Sequence, residues 1–541
     1  MKVKVKIKKN EGITLLVLVV TIIVILILST ITINMLTGEN GIIKNTEKAK
    51  EATEIADEKE IVQRATVNAM GKNKYGDLKQ SELEKQLNEE QEGKTEVTDV
   101  GDEFEILFKE SNRYYTVDKD GNISEPQEIL KDNYPGDITK GGMLDGSEEK
   151  PYEINCIEDL VVLSNMCNGS GVKFENGKAM DITTNDSFSG KKIILKRDLN
   201  FKSKYSYINS ERTDFGDING NNDDGNTLIT ELTNGTGFNP IGQFRTEFQG
   251  DFDGKNNKIL NLYEKDAGDR MGLFGCIANA SVKNLYIQGK IEANTGSTVG
   301  GLAGGGAGGS EINIINCVMN IDINSKLQQT AGFLGNTWSA KLITFTNCIN
   351  KGNINITQGV TGGFIGTIEN DVNIYNSCNL GNVKATGDLG NVGALSGLIG
   401  SIYSGDLSVI NSFNIGNIES EENGKRAGII GNVERASGVI RIKNIYNFGK
   451  ISGELANWIA GKGALIGYTT NATLTIDDGF YIEGTADSAV YKTADSEYGV
   501  TKLESLKYSE LVQKLNKFID EGENSDWKKW KLGEKGYPEI E

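Results

Sequence analysis

The order of hydrophobic and polar positions divides the chain into an apolar segment, a charged segment and a long repetitive remainder. Residues 13–36 are almost all apolar, and as a helix they would be about 36 Å long, enough to cross a bilayer core of about 30 Å. Residues 37–70 are rich in Ala, Glu and Lys, with Ile43, Ala52 and Ile61 near helical spacing. The pattern predicts a transmembrane helix over 13–36 and an amphipathic stalk helix over 37–70.

Shorter patterns follow the predicted stalk. Residues 71–124 contain the strand-like runs 105–108 and 113–117, and an Asp-Gly pair at residues 120–121 that is typical of a turn between strands. We therefore expect a small β-meander over 71–124. Residues 125–146 have no clear period and are interpreted as a linker.

From residue 272 onward the chain repeats. A glycine-framed apolar tetrad begins at residues 272, 301, 332, 363, 397 and 428, and a looser copy, Ala464-Leu465-Ile466-Gly467, follows. A second marker is an asparagine within a strand-like run, which recurs at Asn284, Asn316, Asn347, Asn376, Asn411 and Asn444. Because two markers keep one period of roughly 30 residues, the sequence predicts an array of structural repeats.

The repeats favour a right-handed parallel β-solenoid. A short strand that carries Leu, Ile and Phe cannot bury its inner face alone, but it can do so against the same strand about 4.8 Å away on the next coil. Glycines allow the turns between faces, and the recurring asparagines could stack as a ladder of side-chain amides inside the coils. A β-propeller is the main alternative.

The repeats also set the expected boundaries of a mainly β fold. Residues 147–271 are predicted to form an N-terminal cap and the first coils, and residues 272–484 the repetitive solenoid. Residues 485–541 contain a short helical pattern and then Trp527 and Trp530. We expect them to form a C-terminal cap over the last coil, whose edge would otherwise be unpaired.

Composition narrows the possible functions. The formal charge is -18, which argues against nucleic acid as a partner, and the chain has no histidine. The absence of histidine excludes Ser-His-Asp and Cys-His nucleophile systems as well as histidine zinc sites. We therefore expect no enzymatic activity. The six cysteines are sparse: Cys317 and Cys348 share one repeat position and read as small core residues, whereas the state of Cys156 and Cys167 stays open.

Two acidic motifs could carry chemistry. Oxygen-bearing side chains alternate, as in calcium loops, at Asp217, Asn219, Asn221 and Asp223. The bidentate glutamate of such loops is missing, and Asn, Asp and Gly runs are ordinary in turns, so calcium is only a weak candidate and no other cofactor is expected. Asp251 and Asp253 could form an acid/base pair, but a tight turn into the solenoid explains them better.

The N-terminus resembles a type IV prepilin. Five lysines between Lys2 and Lys9 precede Gly12, and the apolar run starts at Ile13. The resemblance implies a leader, residues 1–12, that a prepilin peptidase removes after Gly12, leaving Ile13 as the new terminus, and association with other pilin subunits through the N-terminal helix. Val17 stands where the family has glutamate, which favours a minor or tip subunit. An uncleaved signal anchor is the alternative.

The repeats resemble the GLUG-motif repeats of bacterial surface proteins. The resemblance rests on the Gly-Leu-Phe-Gly tetrad at 272–275, the Ile-Asn-Cys run at 315–317, and the flanking segments 151–154, 158–163 and 248–254. It covers roughly residues 145–541 and implies a surface protein with an adhesive role.

Together these features predict a membrane-inserted, pilin-like surface protein that displays a β-solenoid. We expect a single-pass membrane location with an extracellular body, on a filament or the cell surface after processing, and an adhesive contact with an extracellular glycan or protein. The alternatives are a surface-tethered, lyase-like enzyme that degrades polysaccharides, and a membrane-anchored envelope protein with no role in filaments.

Overall fold

The computed structural model describes most of the chain beyond the predicted transmembrane segment. It covers residues 42–541 except for 73–76, 101–102, 112, 129–135, 176–177, 202–236, 310, 390–392, 422–423, 435–437, 454–460, 471, 505–507 and 523–525. The predicted leader 1–12 and transmembrane helix 13–36 lie outside the described residues. None of the described helices is both long and apolar enough to cross a membrane. The chain divides into two compact units, Met1–Ile129 and Leu130–Glu541.

The first unit combines two helices with a small antiparallel sheet. Helix α1 spans Ile42–Gly71 and helix α2 spans Gln80–Gln91. The four strands pair in chain order, and they are Thr95–Asp99, Glu103–Phe108, Arg113–Asp118 and Gln127–Glu128. The apolar side chains that recur at Val62, Ala65 and Ala69 of α1 are buried in the core of this unit.

Helix α2 adds a helix to residues 71–124, for which the sequence pattern predicted a small β-meander. Its segment consists largely of Glu, Gln, Leu and Lys, which are good helix formers. Leu83 and Leu87, four residues apart, lie on one face and are fully buried, so the helix is held by tertiary packing. The sheet is anchored to α1 by Glu58, which accepts hydrogen bonds from Arg113 Nε at 2.9 Å and Tyr115 Oη at 2.9 Å.

The second unit begins with an N-terminal cap. Helix α3, Ile157–Asn168, buries Leu160, Leu163 and Cys167 in the main core. A hairpin follows, formed by the strands Val172–Glu175 and Lys178–Asp181. Ile138, within the segment assigned to the linker, is 1% exposed in the same core, so the packed unit starts before residue 147.

The solenoid is built from three sheets that run along its length. We number its coils 1 to 7 by the tetrads. Each coil runs from sheet A through sheet B to its tetrad and sheet C, so that coil 1 includes residues 272–275 and coil 7 includes residues 464–467. Sheet A consists of Tyr152–Ile154, Lys192–Leu195, Leu199–Asn200, Asp251–Asp253, Lys258–Lys265, Ser281–Ala293, Glu311–Ser325, Leu342–Thr346, Ile349–Asn350, Ile354–Ile356, Asp371–Tyr375, Cys378–Asn379, Val383–Ala385, Leu407–Asn414, Ile418–Ser420, Val439–Asn447, Ile451–Ser452, Thr473–Ile482 and Val500–Leu503.

The two remaining sheets flank the tetrads. Sheet B consists of Arg270–Met271, Thr298–Gly300, Gln329–Ala331, Val360–Gly362, Ala394–Ser396, Lys425–Ala427 and Gly461–Gly463. Sheet C consists of Phe274–Ile277, Ala303–Gly306, Leu334–Asn336, Ile365–Ile368, Ile399–Ile402, Ile430–Glu434 and Thr469–Thr470.

Every pairing between successive coils is parallel. Val282 pairs with Ile314, for example, and Ile314 with Phe345. A propeller blade pairs antiparallel strands within each repeat, so this alternative was wrong. The prediction of a mainly β protein with a parallel β-solenoid is confirmed, with about seven turns.

The tetrads supply the solenoid core. Their two central residues are fully buried in coils 1 to 7, and Phe333 stacks on Phe364 of the next coil at a ring distance of 4.7 Å. Burial of each such side chain contributes about 1.5–3 kcal/mol relative to exposure. No coil can achieve this burial without its neighbour, which explains why the pattern repeats.

The C-terminal segment lies along the side of the solenoid. Helix α4, Tyr508–Glu521, and the hairpin Trp530–Leu532 with Pro538–Ile540 pack on Phe413 and Tyr446. The first part of the predicted cap 485–541 does lie on the last coil: Leu465 N donates to Ala489 O at 2.8 Å, and the strand Val500–Leu503 pairs with Gly479–Ile482. The expectation is corrected only for residues 508–541, because the aromatic rings on which they pack lie on the flank of coils 5 to 7.

Candidate functional site

The predicted asparagine ladder occupies one corner of the coils. Each of its six members adopts a left-handed backbone conformation, with φ from 49° to 56°, and so bends the chain within sheet A. Asn316 Nδ2 donates to Asn284 Oδ1 at 3.0 Å, and Asn347 Nδ2 to Asn316 Oδ1 at 2.9 Å. In coils 5 to 7, Asn411 Nδ2 donates to Asn376 Oδ1 at 2.7 Å, and Asn444 Nδ2 to Asn411 Oδ1 at 2.8 Å.

This outer ladder is interrupted between coils 4 and 5. Asn376 Nδ2 donates to the carbonyl oxygen of Asp526 at 3.0 Å instead of to Asn347. The C-terminal segment covers the ladder from there on, and Asn411 and Asn444 are fully buried beneath it. The outer ladder therefore forms a corner of the coils and holds the C-terminal segment. In coils 5 to 7 few of its side-chain amides are accessible to a ligand.

The amide ladder inside the coils lies three residues further along and was missed. It consists of Asn350, Asn379, Asn414 and Asn447, which are fully buried. The first three each donate at 2.7 Å to the Oδ1 atom of the next, and Asn447 donates to the carbonyl oxygen of Ala464 at 2.9 Å. Each also donates to the carbonyl oxygen two residues downstream, as Asn379 does to Gly381 at 2.8 Å. The signal in the sequence was the repeated Asn-x-Gly at these positions.

The glycine of this Asn-x-Gly unit is required by close backbone approach. A Cβ atom on Gly416 would lie 1.9 Å from the carbonyl oxygen of Gly381 in the preceding coil. The first glycine of the tetrad is constrained by the ladder itself in coils 3 to 6; a Cβ atom on Gly397, for example, would lie 2.2 Å from the side chain of Asn414. The two repeat signatures are therefore in contact: the first glycine of the tetrad packs against the asparagine of the Asn-x-Gly unit.

The cysteines are core residues. All six are free and buried. Cys317 and Cys348 occupy one column, as predicted, and their Sγ atoms lie 3.3 Å and 3.4 Å from the carbonyl oxygens of Ile315 and Thr346. Burial raises the pKa of Cys348 to about 12, so this thiol stays protonated and unreactive in the folded chain.

Asp251 and Asp253 are both engaged in the first coil. Asp251 pairs with Lys192, and Asp253 accepts hydrogen bonds from Asn284 Nδ2 at 3.0 Å and from the backbone of Lys255 at 2.9 Å. Burial alone would raise the pKa of Asp253, but these hydrogen bonds outweigh it and lower the pKa. The two carboxylates therefore stabilise the turn, and Asp253 is the first acceptor of the outer ladder.

Other predicted site residues cannot be placed. The calcium candidates Asp217, Asn219, Asn221 and Asp223, and the processing residues Gly12 and Ile13, lie outside the described residues. Within the described part of the chain, no group of three or more Cys, Asp and Glu side chains is arranged to hold a metal ion.

An exposed surface on sheet C was not anticipated from the sequence. We call it the aromatic strip and define it by Phe244, Arg270, Trp338, Glu369, Tyr403 and Glu434. Trp338, Glu369, Tyr403 and Glu434 occupy one position in coils 3 to 6, each two residues after a position paired in sheet C. A ring therefore alternates with a carboxyl group along the solenoid axis.

The strip contains the most exposed aromatic rings in the described chain. Phe244, Trp338 and Tyr403 are 42%, 40% and 36% exposed. The Phe244 and Trp338 rings lie 5.3 Å apart, and the guanidinium of Arg270 lies 5.5 Å from the first ring centroid and 5.6 Å from the second. Arg270 is itself 6% exposed, so it supports the rings from beneath by cation–π contact.

The middle of the strip is acidic and partly desolvated. Burial raises the pKa of Glu369, and the backbone N–H of Glu369 donates to Thr337 Oγ1 at 3.0 Å. Burial also raises the pKa of Tyr403, and the nearby carboxylates Glu434 and Glu369 raise it further. Glu369 and Glu434 occupy the same position as Tyr403 on the two neighbouring coils, and their carboxyl groups can accept hydrogen bonds there.

Comparisons with known proteins do not assign this arrangement. Neither the family models nor the curated proteins contain a match to the chain.

Proposed function

We propose that this protein is a type IV pilin-like surface protein that displays its solenoid outside the cell, as an adhesin or as a minor or tip subunit of a filament. The observation that carries the proposal is the aromatic strip, an exposed row of rings and carboxyl groups on a rigid stack of coils. Exposed side chains of this kind on a rigid scaffold are typical of binding surfaces.

The N-terminal sequence supports the membrane and filament part of the proposal. The lysine-rich leader, Gly12 and the apolar segment 13–36 match the order that prepilin processing requires. In this proposal a prepilin peptidase cuts after Gly12, other pilin subunits contact the N-terminal helix, and helix α1 continues toward the exported body. The acidic charge of the chain fits an exterior that repels nucleic acid.

The interior of the solenoid supports binding rather than catalysis. The polar side chains inside the coils, such as Asn379 and Asn414, are held in hydrogen bonds that run from coil to coil. Asp251 and Asp253 serve a turn. The proposal therefore includes no reaction and no cofactor.

Processing can be tested on the intact protein. Mass analysis of the form released from the cell surface should show Ile13 at the amino terminus, and Gly12→Leu should keep the uncleaved chain in the membrane. Recovery of exported chain that retains Met1 would overturn the pilin-like part of the proposal. Val17→Glu is a useful comparison, because it restores the family residue without changing the cleavage position.

Adhesion is tested separately. Cells that lack the gene should attach less to host or matrix surfaces, and the wild-type gene should restore attachment. Soluble products released from polysaccharides by the purified chain would contradict the adhesin assignment. Unchanged attachment, with altered filament number or length, would indicate a structural role.

A further inference from the structure

The aromatic strip has the composition of a carbohydrate-binding surface. Aromatic rings offer flat apolar faces to the C–H groups of sugars, and Tyr and Trp lose little conformational entropy when they bind. Trp338 in coil 3 and Tyr403 in coil 5 are two coils apart, which separates their backbones by about 10 Å. Glu369 lies between them, so a bound chain would meet a ring, a carboxyl group and a second ring in order.

The surface is held in place before any ligand arrives. Trp338 contacts both Phe244 and the buried Arg270, and beneath it the side chain of Asn336 donates to Gln329 Oε1 at 2.8 Å. The backbone on either side belongs to stacked coils whose interior is fully packed. Preorganisation of this kind reduces the entropy lost on binding.

Charge selects the kind of carbohydrate. Between the two rings the ionisable group that faces solvent is the carboxyl of Glu369, with Glu434 beyond Tyr403. Arg270 and Lys425 are 6% and 3% exposed and lie against the rings of Trp338 and Tyr468, whereas the exposed Arg245 lies 5.5 Å from the centroid of the Phe244 ring, at the opposite end of the strip from Tyr403 and Glu434. On a chain of formal charge -18, these carboxylates would repel an anionic polysaccharide. The hydroxyl groups of a neutral sugar can instead donate hydrogen bonds to them.

We propose that the aromatic strip binds a neutral polysaccharide that lies along the solenoid axis, with sugar rings on Trp338 and Tyr403 and hydroxyl groups on Glu369 and Glu434. This inference rests on the proposed adhesive function and names its ligand class and contact residues.

The test uses the full-length chain and defined probes. Binding is measured by affinity electrophoresis against neutral polysaccharides (a β-glucan, chitin oligosaccharides and a mannan) and anionic ones (hyaluronan and alginate). Trp338→Ala and Tyr403→Ala should each weaken binding to a neutral probe by about tenfold or more, as loss of a central aromatic contact does. Tyr375→Ala is the matched control, because Tyr375 is a partly buried ring on sheet A of the same coil as Tyr403.

Each outcome decides the proposal. Loss of neutral binding in both strip variants, with the control unchanged and circular dichroism unaltered, would support it. Binding to anionic probes only, no binding to the neutral probes, or equal binding by Trp338→Ala would overturn it. Glu369→Gln separates charge from shape: because it removes the carboxylate, binding to the anionic probes should rise relative to binding to the neutral ones, and an unchanged ratio would contradict the charge argument. Cells that still attach while the purified chain fails to bind would reject this inference and leave the adhesive function standing.

Discussion

The inner asparagine ladder gives the sharpest stability prediction. Asn414 in coil 6 is fully buried and makes three hydrogen bonds: its Nδ2 donates to Asn447 Oδ1 at 2.7 Å and to the Gly416 carbonyl at 2.9 Å, and its Oδ1 accepts from Asn379 Nδ2 at 2.7 Å. Asn414→Ala removes all three: Asn379 Nδ2 then keeps only the Gly381 carbonyl as acceptor, and Asn447 Oδ1 keeps only the backbone N–H of Gly449 as donor.

The magnitude follows from these contacts. Each lost hydrogen bond costs about 1 kcal/mol net, so the substitution should destabilise the surrounding coils by about 3 kcal/mol before any cavity is counted. Such a change raises the equilibrium constant for local opening about 100-fold. Because each coil contacts only its neighbours, the effect should remain local to coils 5 to 7.

Hydrogen–deuterium exchange of the full-length chain measures this directly. Peptides from 371–385, 407–420 and 439–452 should lose protection, whereas 281–293 in coil 2 should not. The control is Asn417→Ala, since Asn417 lies in a ladder on the outer surface and accepts from the backbone of Lys450 at 3.1 Å. The control should change exchange by less than about fivefold, because its partners remain accessible to water. Equal effects of the two substitutions would refute the reasoning.

Three further predictions concern packing and titration. Gly416→Ala should lower the thermal unfolding midpoint, because its Cβ would lie 1.9 Å from the Gly381 carbonyl oxygen; an unchanged midpoint would contradict the close approach. The Cys348 thiol, whose pKa burial raises to about 12, should react with iodoacetamide at pH 8 only after denaturation. Burial raises the pKa of Glu264 well above its usual value, so the folded state favours the protonated carboxyl group. The stability that this provides is fully present below the unfolded-state pKa and is lost as pH rises through the folded-state pKa. Glu264→Gln should flatten that decline in urea titrations, and a parallel decline in both proteins would contradict this.

The repeat architecture was accessible from the sequence because its signals are local and periodic. The tetrads mark buried corners where two apolar side chains meet their copies on the next coil, and the asparagines at positions such as Asn284 mark a left-handed bend. Periodicity identified which asparagines recur, but it could not decide which column points inward. The column that begins at Asn350, three residues later, is buried along its whole length, whereas the outer column is buried only where the C-terminal segment covers it.

Other features depend on contacts between distant segments. Helix α2 is held by Leu83 and Leu87 against helix α1 and the sheet, and the alternating pattern around it concealed its period. The C-terminal segment was expected over the last coil, but Trp530 packs on Phe413 and Tyr446 at ring distances of 5.7 Å. The rings of Phe413 and Tyr446, beside the outer ladder, form the surface on which the C-terminal segment packs.

The aromatic strip could not be found from one position in the sequence. Phe244 and Trp338 are 94 residues apart and meet only because the intervening coils stack. Trp338, Glu369, Tyr403 and Glu434 each lie six residues after the first glycine of a tetrad, yet the side chains differ in type. Because aromatic and acidic residues alternate at this position, it shows no hydrophobic periodicity in the sequence. The shared surface is recognised only from the register of sheet C.

Attachment under flow tests the central claim, that the solenoid is an adhesive surface displayed by the N-terminal segment. Cells that lack the gene would be complemented with the full-length chain or with a chain that lacks residues 136–541, and filaments would be counted in both. The account predicts that the shortened chain supports normal filament numbers but loses surface attachment. Equal attachment by the two strains, with both chains present at the cell surface, would contradict it.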